Sequence, residues 1–257
     1  MEKPVFIGLY TRYSSWTVRV ETVLKYFDIP HEAQMWNVFN DETEQPPAPF
    51  RGGLFPVLQP KPKSDPSFLI HDSLAICEYL AETNPELELW PQDEKLRALA
   101  RSAVAVMHSG FTGLRNTFAC NFLAKFTGDI EISDEIVKEC RKMVDLWSSC
   151  RATTIQRLSA LGQTDQGFLF GKFTIADAFF WPVLWRFRSY GLPATGISDE
   201  GLKWMKTMWS DPKMRLLQAS YFEQALNPDT VMPNYDNIFP GTSVKMGSFP
   251  ENWTFTC

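Results

Sequence analysis

The stretch Tyr13-Ser14-Ser15-Trp16-Thr17-Val18-Arg19 decides the fold. It follows an apolar run at residues 5–10, which predicts a buried strand. It also opens a segment, residues 15–27, whose apolar side chains recur at helical spacing. Two serines therefore lie where a strand passes into a helix. The free backbone N–H groups of a first helical turn favour negative charge at that point.

The two serines have two interpretations. A hydroxyl beside those N–H groups would stabilise a bound anion such as a thiolate, and would lower the pKa of the thiol. Alternatively, Ser14 or Ser15 only caps the helix, a role that serine fills well. The residues of the turn leave both interpretations open.

Composition narrows the class of protein. The 257 residues are 44% hydrophobic and 21% charged, with a net charge of −5, so we expect a packed globular core. No basic patch dominates, which argues against a nucleic-acid partner. No apolar run approaches the ~20 residues of a membrane span, so no membrane partner is expected. The first residues carry no apolar targeting core, and we expect a cytoplasmic protein.

Cys77, Cys120, Cys140, Cys150 and Cys257 are widely spaced, odd in number and free of any Cys-x-x-Cys pair. This pattern predicts reduced thiols rather than a disulfide framework or a zinc site, and no metal is expected. Most of them should be buried as small apolar residues. The aromatic content of 14% favours an apolar pocket, a subunit interface, or both.

The first 84 residues predict a small α/β domain in the order β-α-β-β-β-α. A second strand is expected from residue 31 to residue 38, and a polar, proline-rich loop from residue 40 to residue 53. Residues 54–58 and 67–70 form a predicted hairpin. The first of its strands contains Pro56, so a strand edge or an irregularity is expected there, and a cis Phe55–Pro56 bond is one possibility. Asp72 and Ser73 then cap a helix.

Residues 93–226 predict an all-helical domain. Residues 94–126 are expected to form one long helix or a kinked pair, and the next helix should run from Ser133 to about Leu161. Thr174 and Asp177 have the spacing of a capping box ahead of a very apolar helix. Residues 227–257 form an extension without periodicity, either disordered or draped over the body. Its aromatic side chains favour draping.

This layout resembles the glutathione S-transferase superfamily over residues 4–226. Three matches carry the resemblance: Ser14-Ser15-Trp16-Thr17-Val18-Arg19, similar to the serine turn of zeta-like members; Phe55-Pro56-Val57-Leu58; and Asp72-Ser73-Leu74-Ala75-Ile76-Cys77-Glu78-Tyr79-Leu80. The resemblance implies an α/β plus all-α fold, with a thioredoxin-like, glutathione-binding domain at residues 1–84. It also implies a helical bundle at residues 93–226 that supplies the substrate pocket, and a homodimer.

The resemblance assigns roles to individual residues. Ser14 would donate its hydroxyl to the sulfur of glutathione, with Ser15 as the neighbouring candidate. The backbone of Phe55 would pair with the cysteinyl amide, and a cis Pro56 would turn that backbone outward. Phe55 replaces the small aliphatic residue usual before this proline.

Asp72 would bind the γ-glutamyl ammonium group, and Ser73 with its helix N-terminus would bind the carboxylate. Asp72 is one methylene shorter than the glutamate of the family pattern. Arg51 and Asn40 are candidates for the glycyl carboxylate.

The apolar electrophile is expected to bind in the helical domain. Met107, His108 and Phe111 are candidates for lining its pocket, and His108 is a candidate general base. Each also has a packing interpretation: Met107 and Phe111 as ordinary core, and His108 as a hydrogen-bonded packing residue. Trp181 and Trp185 are expected in the core.

The expected reaction is addition of a serine-stabilised glutathione thiolate to an unsaturated, apolar electrophile, as in a glutathione transferase. The first alternative is a glutathione-dependent cis–trans isomerase of an activated alkene, including roles in natural-product pathways. The alternative from another class is a non-catalytic protein that binds apolar ligands or a partner on the same fold.

Overall fold

The computed structural model describes residues 2–37 and 54–255. The α/β part contains the strands β1 (Val5–Leu9), β2 (Glu32–Trp36), β3 (Val57–Gln59) and β4 (Ile70–His71), with the helices α1 (Ser15–Tyr26) and α2 (Ser73–Thr83). A 3-10 turn at Pro85–Leu87 follows. The helical part contains α3 (Glu94–Ser109), α4 (Thr112–Thr117), α5 (Asp134–Leu161), α6 (Ile175–Tyr190), α7 (Asp199–Ser210) and α8 (Pro212–Ala225).

The four strands form one mixed sheet in the order β2-β1-β3-β4. β1 and β2 are parallel, as expected for strands joined by a helix, whereas β3 and β4 form the predicted antiparallel hairpin. Pro56 lies just before β3, which avoids placing a residue without an N–H group inside a central strand. The predicted fold class, an α/β part followed by a helical part, is confirmed.

Helix α6 forms the centre of the molecule. Almost all of its residues are buried, and it packs against α1, α3 and β5 (Ala124–Thr127). The predicted capping box is confirmed: the Asp177 carboxylate accepts the Thr174 backbone N–H at 2.9 Å. The same carboxylate accepts the Leu169 N–H and the Trp204 indole N–H, each at 2.9 Å, so one buried acid joins three chain segments.

The prediction of helix through residue 126 was wrong at its end. Helix α3 ends at Ser109, with Gly110 as its C-cap, α4 is short, and residues 124–127 form β5. Ala124 and Phe126 are buried while Lys125 and Thr127 are exposed, the period of two that is typical of a strand. The partner strand, β6 (Lys245–Ser248), lies far away in sequence, and this explains why no local pattern indicated the pairing.

The C-terminal extension is draped over the body, as its aromatic residues predicted. It contains a 3-10 turn (Pro228–Thr230), a short helix α9 (Pro233–Asp236) and β6. Its rings meet those of the body in several contacts, among them Tyr235 with Tyr13, Phe239 with Phe126, and Trp253 with Trp209. The main hydrophobic core is continuous from Phe6 in β1 to Tyr221 in α8.

Candidate functional site

The serine turn begins helix α1. Ser14 is the N-cap residue, with extended backbone angles, and its Oγ accepts the Thr17 backbone N–H at 3.2 Å. Ser15 is the first helical residue, and both serines are largely buried. Ser14 therefore does cap the helix, and the capping interpretation describes this residue in the free protein.

Thr17 links this cap to the sheet. Its Oγ1 accepts the Leu9 backbone N–H at 3.2 Å and lies 2.9 Å from Ser14 Oγ. Either hydroxyl can donate in this contact, and in one of the two arrangements Thr17 gives its proton to Ser14 Oγ. In that arrangement Ser14 Oγ accepts from both the amide and the hydroxyl of Thr17, and the Ser14 proton remains free for a further acceptor.

Gly8 makes this contact possible. A Cβ built on Gly8 would lie 2.2 Å from Thr17 Cγ2 and 2.9 Å from Thr17 Oγ1. A side chain at this position of β1 would therefore displace Thr17 from the strand. Sequence reasoning missed both Gly8 and Thr17, although the glycine inside an apolar strand was a signal of close approach.

The N-terminus of α2 is the second part of the site. Asp72 has a positive φ of 77°, and its Oδ1 accepts the backbone N–H groups of Leu74 and Ala75 at 2.7 and 3.3 Å. Ser73 is 1% exposed, and its Oγ has no hydrogen-bond partner among the described residues. A buried hydroxyl without a partner is costly, so a polar ligand at this helix end would stabilise it.

His108 joins α3 to this helix end. Its Nε2 lies 3.1 Å from Asp72 Oδ2, whereas its Nδ1 is buried without a partner among the described residues. Burial lowers the pKa of His108, and Arg19 and Arg115 act in the same direction while Asp72 opposes them. A neutral His108 that donates from Nε2 to Asp72 carries an unprotonated Nδ1.

Trp16 connects the two helix N-termini. Its ring meets the His108 ring at 5.4 Å, and the guanidinium groups of Arg19 and Arg115 lie 4.6 and 4.5 Å from its centre. Arg19 is fully buried and donates to the Phe179 carbonyl oxygen at 3.3 Å. Through Trp16 and His108 the structure brings the serine turn, Asp72 and the end of α3 together.

The remaining candidates have different positions. The Phe55–Pro56 bond is cis, and Phe55 packs against a small apolar cluster of Val5, Ile7 and Val57. The candidate pocket residues Met107 and Phe111 are buried in the main core, at 0% and 8% exposure.

The packing interpretation therefore describes Met107 and Phe111 in this structure, because neither side chain offers an open surface. The same is true of Phe118, Trp181 and Trp185. His108 is the one pocket candidate that contacts the N-termini of α1 and α2.

The cysteines follow their prediction where the structure describes them. Cys77, Cys120, Cys140 and Cys150 are buried and free, and burial raises the pKa of each thiol. Raised pKa values argue against a reactive thiolate.

The C-terminal extension contacts the start of the serine turn at Tyr13. The Tyr13 hydroxyl donates to Asp236 Oδ1 at 3.1 Å, and Asn121 Nδ2 donates to the same oxygen at 2.7 Å. Helix α8, which precedes the extension, contacts the same region: Gln224 Nε2 donates to Thr11 Oγ1 at 2.7 Å. Burial raises the pKa of Tyr13 to about 12, so this phenol stays protonated at neutral pH.

Asn40, Arg51 and Cys257 lie outside the described residues. Within residues 2–37 and 54–255, no group of three or more His, Cys, Asp or Glu side chains has the arrangement of a metal site. In that same part of the chain, no helix combines the length and the apolar character that crossing a membrane requires.

The chain is similar to known proteins in sequence and in fold. The family model "Glutathione S-transferase, N-terminal domain" matches residues 13–83, and "Glutathione S-transferase, C-terminal domain" matches residues 131–208. Maleylacetoacetate isomerase of Rattus norvegicus is 35% identical over 114 residues, which are 44% of this chain and 51% of the relative. The chain thus spans about half the length of that relative.

Maleylacetoacetate isomerase of Pseudomonas aeruginosa is 28% identical over 192 residues, which are 72% of this chain and 82% of the relative. A crystal structure of a glutathione transferase homologue from Burkholderia GL BGR1, with bound glutathione, superimposes with a TM-score of 0.55 at 20% identity. The superposition covers 86% of this chain and 100% of that structure, so the two proteins share a fold.

Two models of one family match both parts of the chain, in the order that the α/β and helical parts require. The fold and the relatives agree with them. The chain therefore belongs to the glutathione S-transferase superfamily.

Proposed function

We propose that this protein is a glutathione-dependent enzyme in which the Ser14 hydroxyl stabilises the thiolate of bound glutathione. The observation that carries the proposal is the 2.9 Å contact between Ser14 Oγ and Thr17 Oγ1. With Thr17 donating to Ser14, three groups form a series of hydrogen bonds: the Leu9 N–H, the Thr17 hydroxyl and the Ser14 hydroxyl. The Ser14 proton at the end of this series is then available to a bound ligand. Such a series polarises each successive donor and strengthens the last one.

Bound glutathione supplies a sulfur nucleophile that adds to an electrophilic carbon and either remains there, as in conjugation, or leaves after bond rotation, as in isomerisation. Ser14 lowers the pKa of that sulfur by donating to its charged form. The N–H groups of the first turn of α1 add a favourable field. Ser15, beside Ser14 and also largely buried, is the second candidate donor.

The N-terminus of α2 fits the γ-glutamyl end of glutathione. Ser73 Oγ is buried without a partner among the described residues, and a bound carboxylate would accept its proton together with the helix-end N–H groups. Asp72 Oδ2 would bind the ammonium group, and it would share that interaction with His108. The backbone of Phe55, next to the cis bond to Pro56, is the proposed partner of the cysteinyl amide.

His108 has a proposed role through Asp72. Its Nε2 donor holds one carboxylate oxygen in place, so the residue orients Asp72 toward the ammonium group. Met107 and Phe111 support α3 from the core and do not contact substrate in this proposal.

Isomerisation is the second candidate reaction. The names of two relatives, both maleylacetoacetate isomerases, favour it. In either reaction the residues of this chain do the same work: they bind glutathione, lower the pKa of its thiol and orient the sulfur. The substrate class proposed is a small, apolar electrophile with an activated double bond.

Paired variants test the proposal. Ser14→Ala should reduce turnover of an enone substrate by about a hundredfold, the usual effect of removing one donor from a developing or resting anion. Ser15→Ala, one residue away, is the matched control and should retain most activity. Equal losses in both variants would assign the effect to the helix N-terminus, and unchanged turnover in Ser14→Ala would contradict the proposal.

Mass spectrometry of the product separates the two reactions. A gain of one glutathione mass identifies conjugation, and an unchanged mass with altered alkene geometry identifies isomerisation. A third outcome is that neither product forms and that apolar ligands bind with the same affinity whether or not glutathione is present. The protein would then be a non-catalytic, ligand-binding member of the superfamily.

We also propose a homodimer. Leu99 and Val106 lie seven residues apart on α3 and are 37% and 48% exposed, so the helix presents an apolar stripe to its surroundings. A second copy of the chain would cover this stripe. Sedimentation that depends on protein concentration would support a dimer, and a Leu99→Glu variant should then sediment as a monomer.

A further inference from the structure

A cavity lies where α6 and α7 meet the C-terminal extension. Its volume is about 200 Å³. The wall is apolar except for one cation, Arg188, and its main apolar residues are Leu184, Leu192, Ala194, Met205, Trp209 and Trp253. None of the residues proposed above to bind glutathione lines this cavity.

Arg188 is surrounded by aromatic rings. Its guanidinium carbon lies 4.3 Å from the centre of Phe249, 4.5 Å from Phe122, 4.6 Å from Trp209 and 5.1 Å from Trp253. One terminal nitrogen donates to the Phe122 carbonyl oxygen, and Nε is buried without a partner among the described residues.

Among residues 2–37 and 54–255, no carboxylate forms an ion pair with Arg188, and burial lowers the pKa of Arg188 to about 9. The guanidinium is still protonated at neutral pH. Arg188 is partly buried. Aromatic faces stabilise such a cation in part, but they do not replace a counter-ion with hydrogen-bond acceptors.

We propose that this cavity is a binding site for a small amphipathic carboxylate. The carboxylate pairs with Arg188, and the apolar body lies against the apolar side chains of the cavity wall, Trp209 and Trp253 among them. The charge that lacks a partner selects an anion, and a planar guanidinium suits a carboxylate. The volume lies below the ~300–1,000 Å³ of drug-sized pockets, so the ligand is small, such as one ring on a short chain.

The site is partly made by the extension. Phe249 and Trp253 belong to residues 227–257, and the Trp253 carbonyl oxygen accepts from Arg215 at 3.0 Å. The competing explanation of Arg188 is that it only clamps the extension to α6 through these rings. Only the binding-site explanation predicts that a carboxylate ligand binds more tightly than its neutral analogue.

Titration calorimetry with 4-phenylbutyrate, and separately with its neutral amide, tests the site on the full-length protein. The acid should bind at least about tenfold more tightly than the amide, which corresponds to the ~1.4 kcal/mol of one charge-assisted hydrogen bond. Saturating glutathione should not change the affinity. Displacement of 4-phenylbutyrate by glutathione would put the probe in the glutathione site and would overturn the proposal.

Two variants locate the binding. Arg188→Met should remove the preference for the acid over the amide. Because this change also removes the contacts that hold Phe249 and Trp253, Ala194→Phe is the second variant: it fills the cavity and leaves Arg188 in place. Ala194→Phe should abolish binding of the acid with unchanged far-ultraviolet circular dichroism, which reports the helices and not the added ring.

Equal affinities for acid and amide in the wild-type protein would contradict the proposal. So would binding that survives Ala194→Phe, or no binding at millimolar 4-phenylbutyrate. Any of these outcomes would leave Arg188 as a clamp for the extension. They would not affect the proposed glutathione chemistry, which uses other residues.

Discussion

The side-chain oxygens of Ser14 and Thr17 lie 2.9 Å apart at the start of helix α1, and Thr17 Oγ1 also accepts the backbone N–H of Leu9 from strand β1. This pair of contacts fixes the Ser14 hydroxyl relative to the sheet. We propose that Thr17 is the donor in this contact, which leaves the Ser14 proton for an acceptor outside the pair and makes Thr17 a positioning residue for Ser14.

Thr17→Val keeps the shape of the side chain and removes the hydroxyl. We expect roughly a tenfold loss of catalytic efficiency, because Ser14 then loses one of its two donors and its orientation. Thr22→Val is the control, since the Thr22 hydroxyl, which donates to the Val18 carbonyl oxygen, lies eight residues further along the chain than Ser14. The apparent pKa in the pH profile of turnover should rise in Thr17→Val and stay unchanged in Thr22→Val. An unchanged pH profile would show that Thr17 has only a structural role.

Gly8→Ala should destabilise the protein by about 1–3 kcal/mol, the usual cost of overpacking, because the new methyl group meets Thr17 Cγ2 at 2.2 Å. Thr17→Ser removes that carbon and keeps the hydroxyl, so the double variant should recover part of the loss. Gly247→Ala in β6 is the control, since its nearest new contact is 3.8 Å away. Chemical denaturation measures the wild-type protein and the four variants, and strictly additive effects of Gly8→Ala and Thr17→Ser would contradict the close approach of these two residues.

His108 should make stability depend on pH. Burial lowers the pKa of His108, so the folded protein binds fewer protons than the unfolded chain as the pH falls through about 6.5. This group therefore favours folding at neutral pH and opposes it increasingly at lower pH.

Comparison of His108→Gln with the wild-type protein tests this sign. The variant should lose less stability than the wild type between neutral pH and about pH 5.5, as measured by urea denaturation at each pH. A steeper loss in His108→Gln would mean that the ion pair with Asp72 outweighs burial.

Asp177→Ala should be strongly destabilising, by about 3 kcal/mol or more, because it leaves the donors of Leu169, Thr174 and Trp204 buried without an acceptor. Asp134→Ala is a fair comparison, since Asp134 also lies in the first turn of a helix but is exposed. That change should stay within about 0.5 kcal/mol. Similar melting temperatures for the two variants would be inconsistent with this network.

Local features of this chain were predictable, and the contacts between distant segments were not. The capping box of Thr174 and Asp177 and the serine turn at residues 13–19 depend on neighbouring residues, so their patterns are present in the sequence. The strand β5 was missed because its stability depends on pairing with β6, more than a hundred residues later.

The candidate site shows the same difference between local patterns, which were predictable, and contacts between distant segments, which were not. Ser14, Asp72 and Ser73 were identified from helix starts and from the family resemblance. The contact of His108 with Asp72 requires α3 to pass beside the N-terminus of α2, and the contact of Thr17 with Leu9 requires Gly8 in between. Met107 and Phe111 were candidates for a pocket because an apolar helical face has the same pattern whether it lines a pocket or a core.

The pKa of the glutathione thiol, bound to the protein, tests the central claim most directly. It is measured by the ultraviolet absorbance of the thiolate as a function of pH, in the wild-type protein, in Ser14→Ala and in Ser15→Ala. We predict a thiol pKa at least about one unit below that of free glutathione in the wild type and in Ser15→Ala, and a return to nearly the free value in Ser14→Ala. A thiol pKa that stays depressed in Ser14→Ala, or a wild-type protein that binds no glutathione, would contradict the account.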